Sequence, residues 1–251
     1  MRLFYRIAQW LFPPKCVLCR QILEKDETDL CRHCRVHAPA APMSHKKIPH
    51  LDRWTAVWYY EDKVRLSILR FKFYNARSYA RAYGRFLAMQ LLKDDMADFD
   101  LLTWVPVSKL RRLKRGYDQV ELLAKAVGRE LGAEPVRLLK KTRHNRPQSG
   151  ITGVAARRAN VLGAYRVTDP AAIRDKRILL LDDVITTGST MSECARTLLI
   201  SGAKQVNCAA VARRHETIKT SRGILCHYFQ LTSVSIWVPP MFWCMWTARV
   251  S

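Results

Sequence analysis

Two adjacent carboxylates, Asp182 and Asp183, lie between a short aliphatic run and a cluster of hydroxyl side chains. The run is Ile178 to Leu181, and the cluster, Thr186 to Thr190, surrounds Gly188. Carboxylates accept hydrogen bonds from sugar hydroxyls or hold a magnesium ion, and small donors around a glycine wrap a phosphate. These residue types predict a site for a ribose 5-phosphate. A polar strand end that is merely solvated is the alternative interpretation.

A strand, a loop and a helix are predicted to position these side chains. Ile178 to Leu181 is typical of a strand that is buried on both faces in a parallel sheet. Thr190 and Glu193 form a capping-box pattern at the start of a helix that Gly202 ends. Loops at the carboxyl ends of parallel strands face a crevice, where ligands bind.

The complete string ILLLDDVITTGST resembles the phosphoribosyl pyrophosphate (PRPP) signature of type I phosphoribosyltransferases, a hydrophobic strand followed by D-D-x-x-T-T-G-x-T. The resemblance implies that Asp182 and Asp183 are catalytic, because they would bind the ribose hydroxyls and stabilise positive charge on the sugar. Val107 and Ser108 resemble the loop that binds pyrophosphate in this fold, with Mg²⁺ as the bridge. The residues implied for the 5-phosphate are Thr186, Thr187, Gly188, Ser189 and Thr190.

Four cysteines near the start of the chain have the spacing of a zinc site. Cys16, Cys19, Cys31 and Cys34 form C-x-x-C, eleven residues, and C-x-x-C. Two such knuckles present four thiolates to one tetrahedral, structural Zn²⁺. Disulfides are the rival interpretation, and His33 and His37 are conceivable substitute ligands.

The chain is strongly basic, with 43 Lys and Arg against 21 Asp and Glu and a formal net charge of +22. Such an excess favours a polyanionic partner, with nucleic acid as the leading candidate and a solvated basic surface as the alternative. The predicted surface would follow a single-stranded backbone without reading its sequence, and its first part would also close over phosphates as a mobile lid. Its residues are Arg111, Arg112, Lys114, Arg115, Arg143, Arg146, Arg157 and Arg158.

Strands alternate with helices along the chain, which predicts an α/β fold with a mostly parallel sheet flanked by helices. The predicted strands include Trp54 to Tyr60, Leu101 to Val107 and Gln205 to Ala212, and Arg111 to Lys114 is predicted as a basic loop. We divide the chain into an N-terminal helix and zinc knuckle (1–37), a linker (38–53), the α/β domain (54–213) and an atypical tail (214–251).

The two ends of the chain carry no convincing targeting signal. A short amphipathic helix is predicted to end at Pro13, and no cleavage site follows it, which implies a cytosolic location. The tail has no Lys, Arg, Asp or Glu from Gly223 to Thr247, but Pro239 and Pro240 interrupt it, so we expect no membrane span. An added docking surface and a non-native end from a reading-frame change both remain open.

The order of the motifs resembles the ComF family. The four zinc-spaced cysteines come first, then VPVSKLRRLKRGYDQ, then RHNRPQSGITGVAARRANVLGAY, then the D-D loop. The resemblance implies a type I phosphoribosyltransferase-like (Rossmann-like) domain with a small N-terminal four-cysteine zinc module. The sequence departs from the family pattern at Tyr117 and Asp118, where Phe and Asn are common, and in its tail.

Three functions follow from these features. The first, suggested by a competence protein in the ComF family, is a PRPP-binding protein that handles single-stranded DNA in the cytosol during natural transformation. The second is an active phosphoribosyltransferase that moves ribose 5-phosphate from PRPP to an unknown acceptor. The third is an adaptor whose zinc knuckle docks a partner such as a helicase of the uptake machinery.

Overall fold

The computed structural model describes residues 13–44, 46–142 and 161–215. The predicted N-terminal helix, the basic residues Arg143, Arg146, Arg157 and Arg158, and the tail from residue 216 lie outside these ranges. No helix in the described ranges is long and apolar enough to cross a membrane.

A four-stranded parallel sheet forms the centre of the described chain, with the strand order β1-β6-β5-β2. A two-stranded antiparallel ribbon, β3-β4, lies beside it. This architecture confirms the predicted α/β fold with a mostly parallel sheet. The strands are β1 (Trp54–Tyr59), β2 (Leu101–Trp104), β3 (Leu139–Lys141), β4 (Tyr165–Val167), β5 (Arg177–Ile185) and β6 (Gln205–Arg213). The helices are α1 (Arg32–His37), α2 (Asp62–Phe73), α3 (Tyr79–Lys93), α4 (Lys109–Arg115), α5 (Gln119–Leu131), α6 (Pro170–Ile173) and α7 (Ser189–Ile200).

The central strand β5 supplies both halves of the core, because successive side chains of a strand point to opposite faces. Leu179 and Leu181 belong to the core on one face, with side chains from α2, α3 and α5. Ile178 and Leu180 belong to the core on the other face, with side chains from α7. Both faces of the sheet are therefore covered, as a continuous aliphatic run predicts.

Close packing joins α3 to α5 on the first face. A Cβ added at Gly84 of α3 would lie only 2.5 Å from the Cβ of Ala126 in α5. The glycine thus lets the two helices approach each other at this point.

Three local predictions are wrong. The strand that carries the carboxylates extends to Ile185, so Asp182 and Asp183 lie within it rather than after it. The predicted basic loop at Arg111 to Lys114 is the helix α4, because Ser108 caps its start and Gly116, at φ 75°, ends it.

The third wrong prediction is the capping box. Gly188 occupies the N-cap position of α7, so the helix begins at Ser189 and Thr190 lies inside its first turn. The carboxylate of Glu193 instead accepts a hydrogen bond from the N–H of Gly163 and pairs with Arg196. Glu193 therefore ties α7 to the segment before β4.

Candidate functional site

The four zinc-spaced cysteines converge on one point. Their Sγ atoms all lie within 4.8 Å of one another, and those of Cys19 and Cys31 are 3.6 Å apart. Tetrahedral zinc with bonds of about 2.3 Å to sulfur requires sulfurs separated by roughly 3.8 Å. The described cysteines form no disulfide, so the arrangement fits a metal and not the rival disulfides.

Neither histidine of α1 joins this cluster. The rings of His33 and His37 stack on each other with their centroids 4.5 Å apart, and the Nδ1 of His37 bonds to the carbonyl of His33. The suggestion that they substitute as ligands is therefore wrong. The donor set is four thiolates, which is the composition of a closed structural zinc site.

Two helices of the α/β domain hold the zinc knuckle in place. The hydroxyl of Ser67 and the guanidinium of Arg70, both in α2, donate to backbone carbonyls of the first knuckle loop. Arg85 of α3 forms a two-pronged pair with Asp29, whose partly buried carboxylate precedes the second knuckle. Because Cys16, Cys31 and Cys34 also belong to the core that contains Trp58 and Phe71, the knuckle and the domain share packing.

Both oxygens of Asp183 have partners inside the protein. The ammonium of Lys72 lies 2.6 Å from Oδ1, and the side-chain amide of Gln119 donates to Oδ2 at 2.9 Å. Asp183 is buried, and Lys72 keeps only 19% of its side chain exposed. The position of this carboxylate is thus determined by residues from α2 and α5.

Asp182 is bound less completely than its neighbour. Its Oδ1 accepts the backbone N–H of Asp183, whereas its Oδ2 has no hydrogen-bond partner among the described residues. Burial and the negative charge of Asp183 raise the pKa of Asp182 above its ordinary value. This is the carboxylate that retains an acceptor for a ligand.

The hydroxyl loop forms a small pocket at the start of α7. A hollow of about 20 Å³ is lined by Asp182, Thr186, Gly188, Ser189 and Thr190, among others. Gly188 has φ 76°, and a Cβ there would meet Ile48 Cδ1 at 2.7 Å. Only glycine allows both this conformation and this approach. The loop therefore lies at a helix N-terminus, which is a favourable place for an anion.

The two residues of the predicted pyrophosphate loop have different roles in the structure. Val107 lines the main cavity, and its N–H donates to Asp118 Oδ2 at 3.4 Å. Ser108 is buried, and its hydroxyl accepts from the N–H of Arg111 as the cap of α4. Asp118 also caps α5, so this family departure holds the loop to the following helix.

A cavity of about 780 Å³ joins the carboxylates to a set of cations. Asp182 and Asp183 are on its wall with Thr186 and Thr190 of the hydroxyl loop. Three of the four predicted basic residues of α4, namely Arg111, Lys114 and Arg115, also line it, whereas Arg112 lies 3.9 Å from Glu121. Cations and carboxylates thus face one space, as a ligand with a sugar and several phosphates requires.

Sequence reasoning missed three side chains of this cavity. Lys72 had no local signal, because it is one polar position in an amphipathic helix, and Gln119 ends the VPVSKLRRLKRGYDQ motif but had no predicted role. Lys141 lies at the end of β3 with its ammonium 5.3 Å from the centroid of the Tyr165 ring, and burial lowers its pKa. A half-buried lysine on the wall of this cavity is a further candidate anion-binding group.

Comparison with known proteins gives two domain matches. The phosphoribosyl transferase domain family matches residues 120–241, and the double zinc ribbon domain family matches residues 7–44. These matches confirm the type I phosphoribosyltransferase-like fold and agree with the four clustered cysteines as a structural zinc site.

Several curated proteins are similar to most of this chain. Competence protein F of Haemophilus influenzae is 26% identical over 223 residues, which covers 79% of this chain and 96% of that protein. DNA utilization protein YhgH of Escherichia coli O157:H7 is 28% identical over 208 residues, with 79% and 89% covered. Competence protein ComFC of Streptococcus pneumoniae is 27% identical over 233 residues, with 79% and 100% covered.

Proposed function

The chain belongs to the ComF family, and from that premise we propose that it binds PRPP and handles single-stranded DNA in the cytosol during DNA uptake. The observation that carries the proposal is the composition of the cavity. Its wall combines one carboxylate with an unoccupied acceptor oxygen, a glycine loop at a helix N-terminus and the cations of α4. PRPP needs each of these parts, for its ribose hydroxyls, its 5-phosphate and its diphosphate respectively.

Mg²⁺ fits the chemistry of this wall as a companion of PRPP. Magnesium in phosphate sites is held by one or two carboxylates together with ligand phosphates. Asp182 is the carboxylate that the fold leaves for such contacts, since both oxygens of Asp183 are engaged. When bound, the ion would neutralise charge on the diphosphate.

The outer side of α4 supports a role in DNA binding. Leu110 and Leu113 are 59% and 80% exposed, and they lie between basic residues. Phe73 and Tyr74, at the end of α2, are also exposed, and the guanidinium of Arg115 lies 4.8 Å from the Phe73 ring centroid. Exposed aromatic rings beside cations suit a single strand, whose bases stack while its phosphates pair.

Phosphoribosyl transfer is the second candidate, and the extent of the cavity favours it. The cavity continues past the carboxylates to Lys141 and Tyr165, which leaves room for an acceptor beside the sugar. In this reaction the bond from the anomeric carbon to the diphosphate breaks with its electron pair going to the diphosphate, and the acceptor supplies the pair for the new bond. Asp182 would stabilise positive charge on the ribose, and Arg111 would neutralise the leaving group.

The zinc knuckle supports a separate prediction of a protein partner such as a helicase. Its exposed basic residues, Arg20, Arg32 and Arg35, lie on the surface away from the core. An acidic surface on the partner would complement them.

Calorimetric titration of the zinc-loaded protein with PRPP and Mg²⁺ tests the proposal, with and without a saturating single-stranded oligonucleotide. We expect binding in both conditions, with affinities that change each other if the two ligands meet at the cavity mouth. The double variant Asp182→Ala/Asp183→Ala should lose PRPP binding. PRPP affinity that survives this double variant would contradict the proposal.

A second pair of variants tests the DNA surface, and it includes Arg111, which also lines the PRPP cavity. Arg111→Ala/Arg112→Ala should weaken oligonucleotide binding and reduce its salt slope by about 0.7 for each phosphate that the variant no longer neutralises. Arg65→Ala/Arg81→Ala removes the same charge from exposed positions outside the cavity lining. If both double variants lost the same affinity for the oligonucleotide, the loss would be a non-specific effect of net charge and would not support a DNA-binding surface.

A further inference from the structure

The ion pair between Lys72 and Asp183 is the contact in the cavity that neither the motifs nor the domain matches indicate. Lys72 belongs to α2, which lies between the two segments that the domain families match, and its ammonium lies 2.6 Å from Asp183 Oδ1. Both partners are largely buried, with 19% and 7% of their side chains exposed. A buried lysine this close to a carboxylate is a fixed positive charge in the ligand site.

Three contacts hold α2 so that Lys72 stays beside Asp183. On one side, Ser67 and Arg70 donate hydrogen bonds to the zinc knuckle carbonyls. On the other side, the hydroxyl of Tyr117 donates to the carbonyl of Phe71, the residue before Lys72. The last turn of α2 is therefore anchored at the knuckle and at the loop that follows α4.

The anchored lysine makes the two carboxylates unequal. Asp183 is neutralised by Lys72 and oriented by Gln119, which donates at 2.9 Å. Asp182 keeps one acceptor oxygen directed to no described partner. In a site with two bare carboxylates, a divalent cation would be needed to overcome their repulsion of an anionic ligand. Here Lys72 already supplies one positive charge at that place.

The remaining wall of the cavity adds to this balance. Its basic residues outnumber its two carboxylates, and they approach from different elements. The basic residues are Lys72, Arg111, Lys114, Arg115, Lys141 and Arg214. Before any ligand binds, the cavity wall around Asp183 thus already carries a net positive charge.

Building on the proposed function, we propose that Lys72 is an internal counterion that sets the Mg²⁺ dependence of PRPP binding. Its ammonium pairs with Asp183 and takes part of the charge-neutralising task that Mg²⁺ performs at a bare carboxylate pair. PRPP therefore binds this chain with a weak Mg²⁺ requirement, and removal of Lys72 makes the requirement strong. Lys72 is in this sense a positioning and specificity-determining residue.

The test is calorimetric titration of the zinc-loaded protein with PRPP in Mg²⁺-free buffer without chelator and in millimolar Mg²⁺, for the wild type and for Lys72→Met. In Mg²⁺-free buffer, Lys72→Met should weaken binding about 10- to 100-fold, the range expected for the loss of a hydrogen bond to a charged group. In Mg²⁺ the affinity should return close to that of the wild type. The measured quantity is the ratio of Kd without Mg²⁺ to Kd with Mg²⁺, which should rise at least about ten-fold in the variant.

Two further variants control for charge and folding. Lys63→Met removes an exposed lysine from the same helix and should leave the ratio at its wild-type value. Lys72→Gln keeps a hydrogen-bond donor for Asp183 without the charge, and it should show the raised ratio even if Lys72→Met fails to fold. Lys72→Arg keeps the charge and should restore a low ratio.

A thermal shift with Mg²⁺ alone separates this proposal from the proposed function. Lys72→Met or Lys72→Gln should gain stabilisation from Mg²⁺ that neither the wild type nor Lys63→Met shows, because the bare carboxylate pair then binds the cation. A wild type that binds no PRPP refutes the proposed function, while this Mg²⁺ response still decides the role of Lys72. A ratio and a Mg²⁺ response equal to those of the wild type would overturn the inference.

Discussion

The zinc knuckle contains four thiols and the ligand cavity contains two carboxylates. The two clusters of acidic groups differ in how their side chains are paired. In the knuckle, the donors point at one another within 4.8 Å, and three of the four cysteines are buried. In the cavity, one carboxylate is paired internally with Lys72, while the other keeps an acceptor oxygen toward open space. The knuckle is a closed set of donors for one metal ion, and the cavity is open to a ligand.

Both sites bring negatively charged groups together, but one is a structural site and the other is a candidate binding site. In a closed four-thiolate site, the free energy of metal binding stabilises the folded state. An open carboxylate site keeps part of the repulsion in the free protein, so that a ligand or cation can relieve it. The first arrangement should therefore fail when the metal leaves, and the second should be relieved when the carboxylate without an internal cation, Asp182, is neutralised.

Zinc removal should have the largest effect. Chelation is expected to lower the free energy of unfolding by several kcal/mol, because structural zinc contributes on this scale and the knuckle cysteines lie in the domain core. Thermal unfolding with and without a strong chelator measures the decrease, with the released zinc quantified in parallel. Cys194→Ala, a buried cysteine outside the cluster, is the control and should leave one zinc bound. An unchanged melting temperature after zinc release would mean that the knuckle is held by packing alone.

The two carboxylates should respond to amide substitution with opposite signs. Asp183→Asn leaves Lys72 without its charged partner, which should cost about 2 kcal/mol, below the range for fully buried pairs because Lys72 is 19% exposed. Asp182→Asn should instead raise stability at neutral pH by roughly 1 kcal/mol, the equivalent of one unit of pKa. Chemical denaturation of both variants measures the two values, and a shared sign would remove the proposed inequality of the pair.

The pH dependence of folding stability provides a second test of the prediction for Asp182. Because its pKa is raised in the folded chain, the folded state keeps this proton at pH values where the unfolded state has lost it. The stability contribution is therefore fully present below the unfolded pKa, near about 4, and is lost as the pH rises through the raised folded value. Asp182→Asn should flatten this decline in a melting-temperature profile.

The last prediction concerns the phosphate loop, where a glycine takes a left-handed conformation. Gly188→Ala places a side chain at φ 76° and within 2.7 Å of Ile48 Cδ1, and it should cost about 1–2 kcal/mol and also weaken PRPP binding. Gly132→Ala is the matched control, since its φ is 68° but nothing lies within 4 Å of the added Cβ. Both variants carry the backbone cost, so only their difference reports the contact with Ile48. Equal costs would show that Ile48 moves aside freely.

Much of the fold, and the candidate site residues, could be predicted from local patterns. The aliphatic run of β5, the cysteine spacing and the D-D-x-x-T-T-G string each occupy a few consecutive residues, so their geometry follows from neighbours in the chain. The predictions that failed lie at element ends. Ser108 and Gly116 turn a basic stretch into α4, and Gly188 displaces the expected cap at Thr190. Such ends depend on single hydrogen bonds that compete with tertiary contacts.

By itself the sequence determined the class of fold, the zinc donor set and the kind of ligand loop, because strand periodicity and short-range spacing encode them directly. Only the tertiary structure decided which polar and charged side chains lie next to one another. Gln119 and Asp183 lie 64 positions apart in the chain, and Lys72 reaches the same carboxylate from another helix. No local pattern encodes such a meeting, since it arises when α2 and α5 pack around one end of a parallel sheet. The inequality of Asp182 and Asp183 is therefore a property of packing.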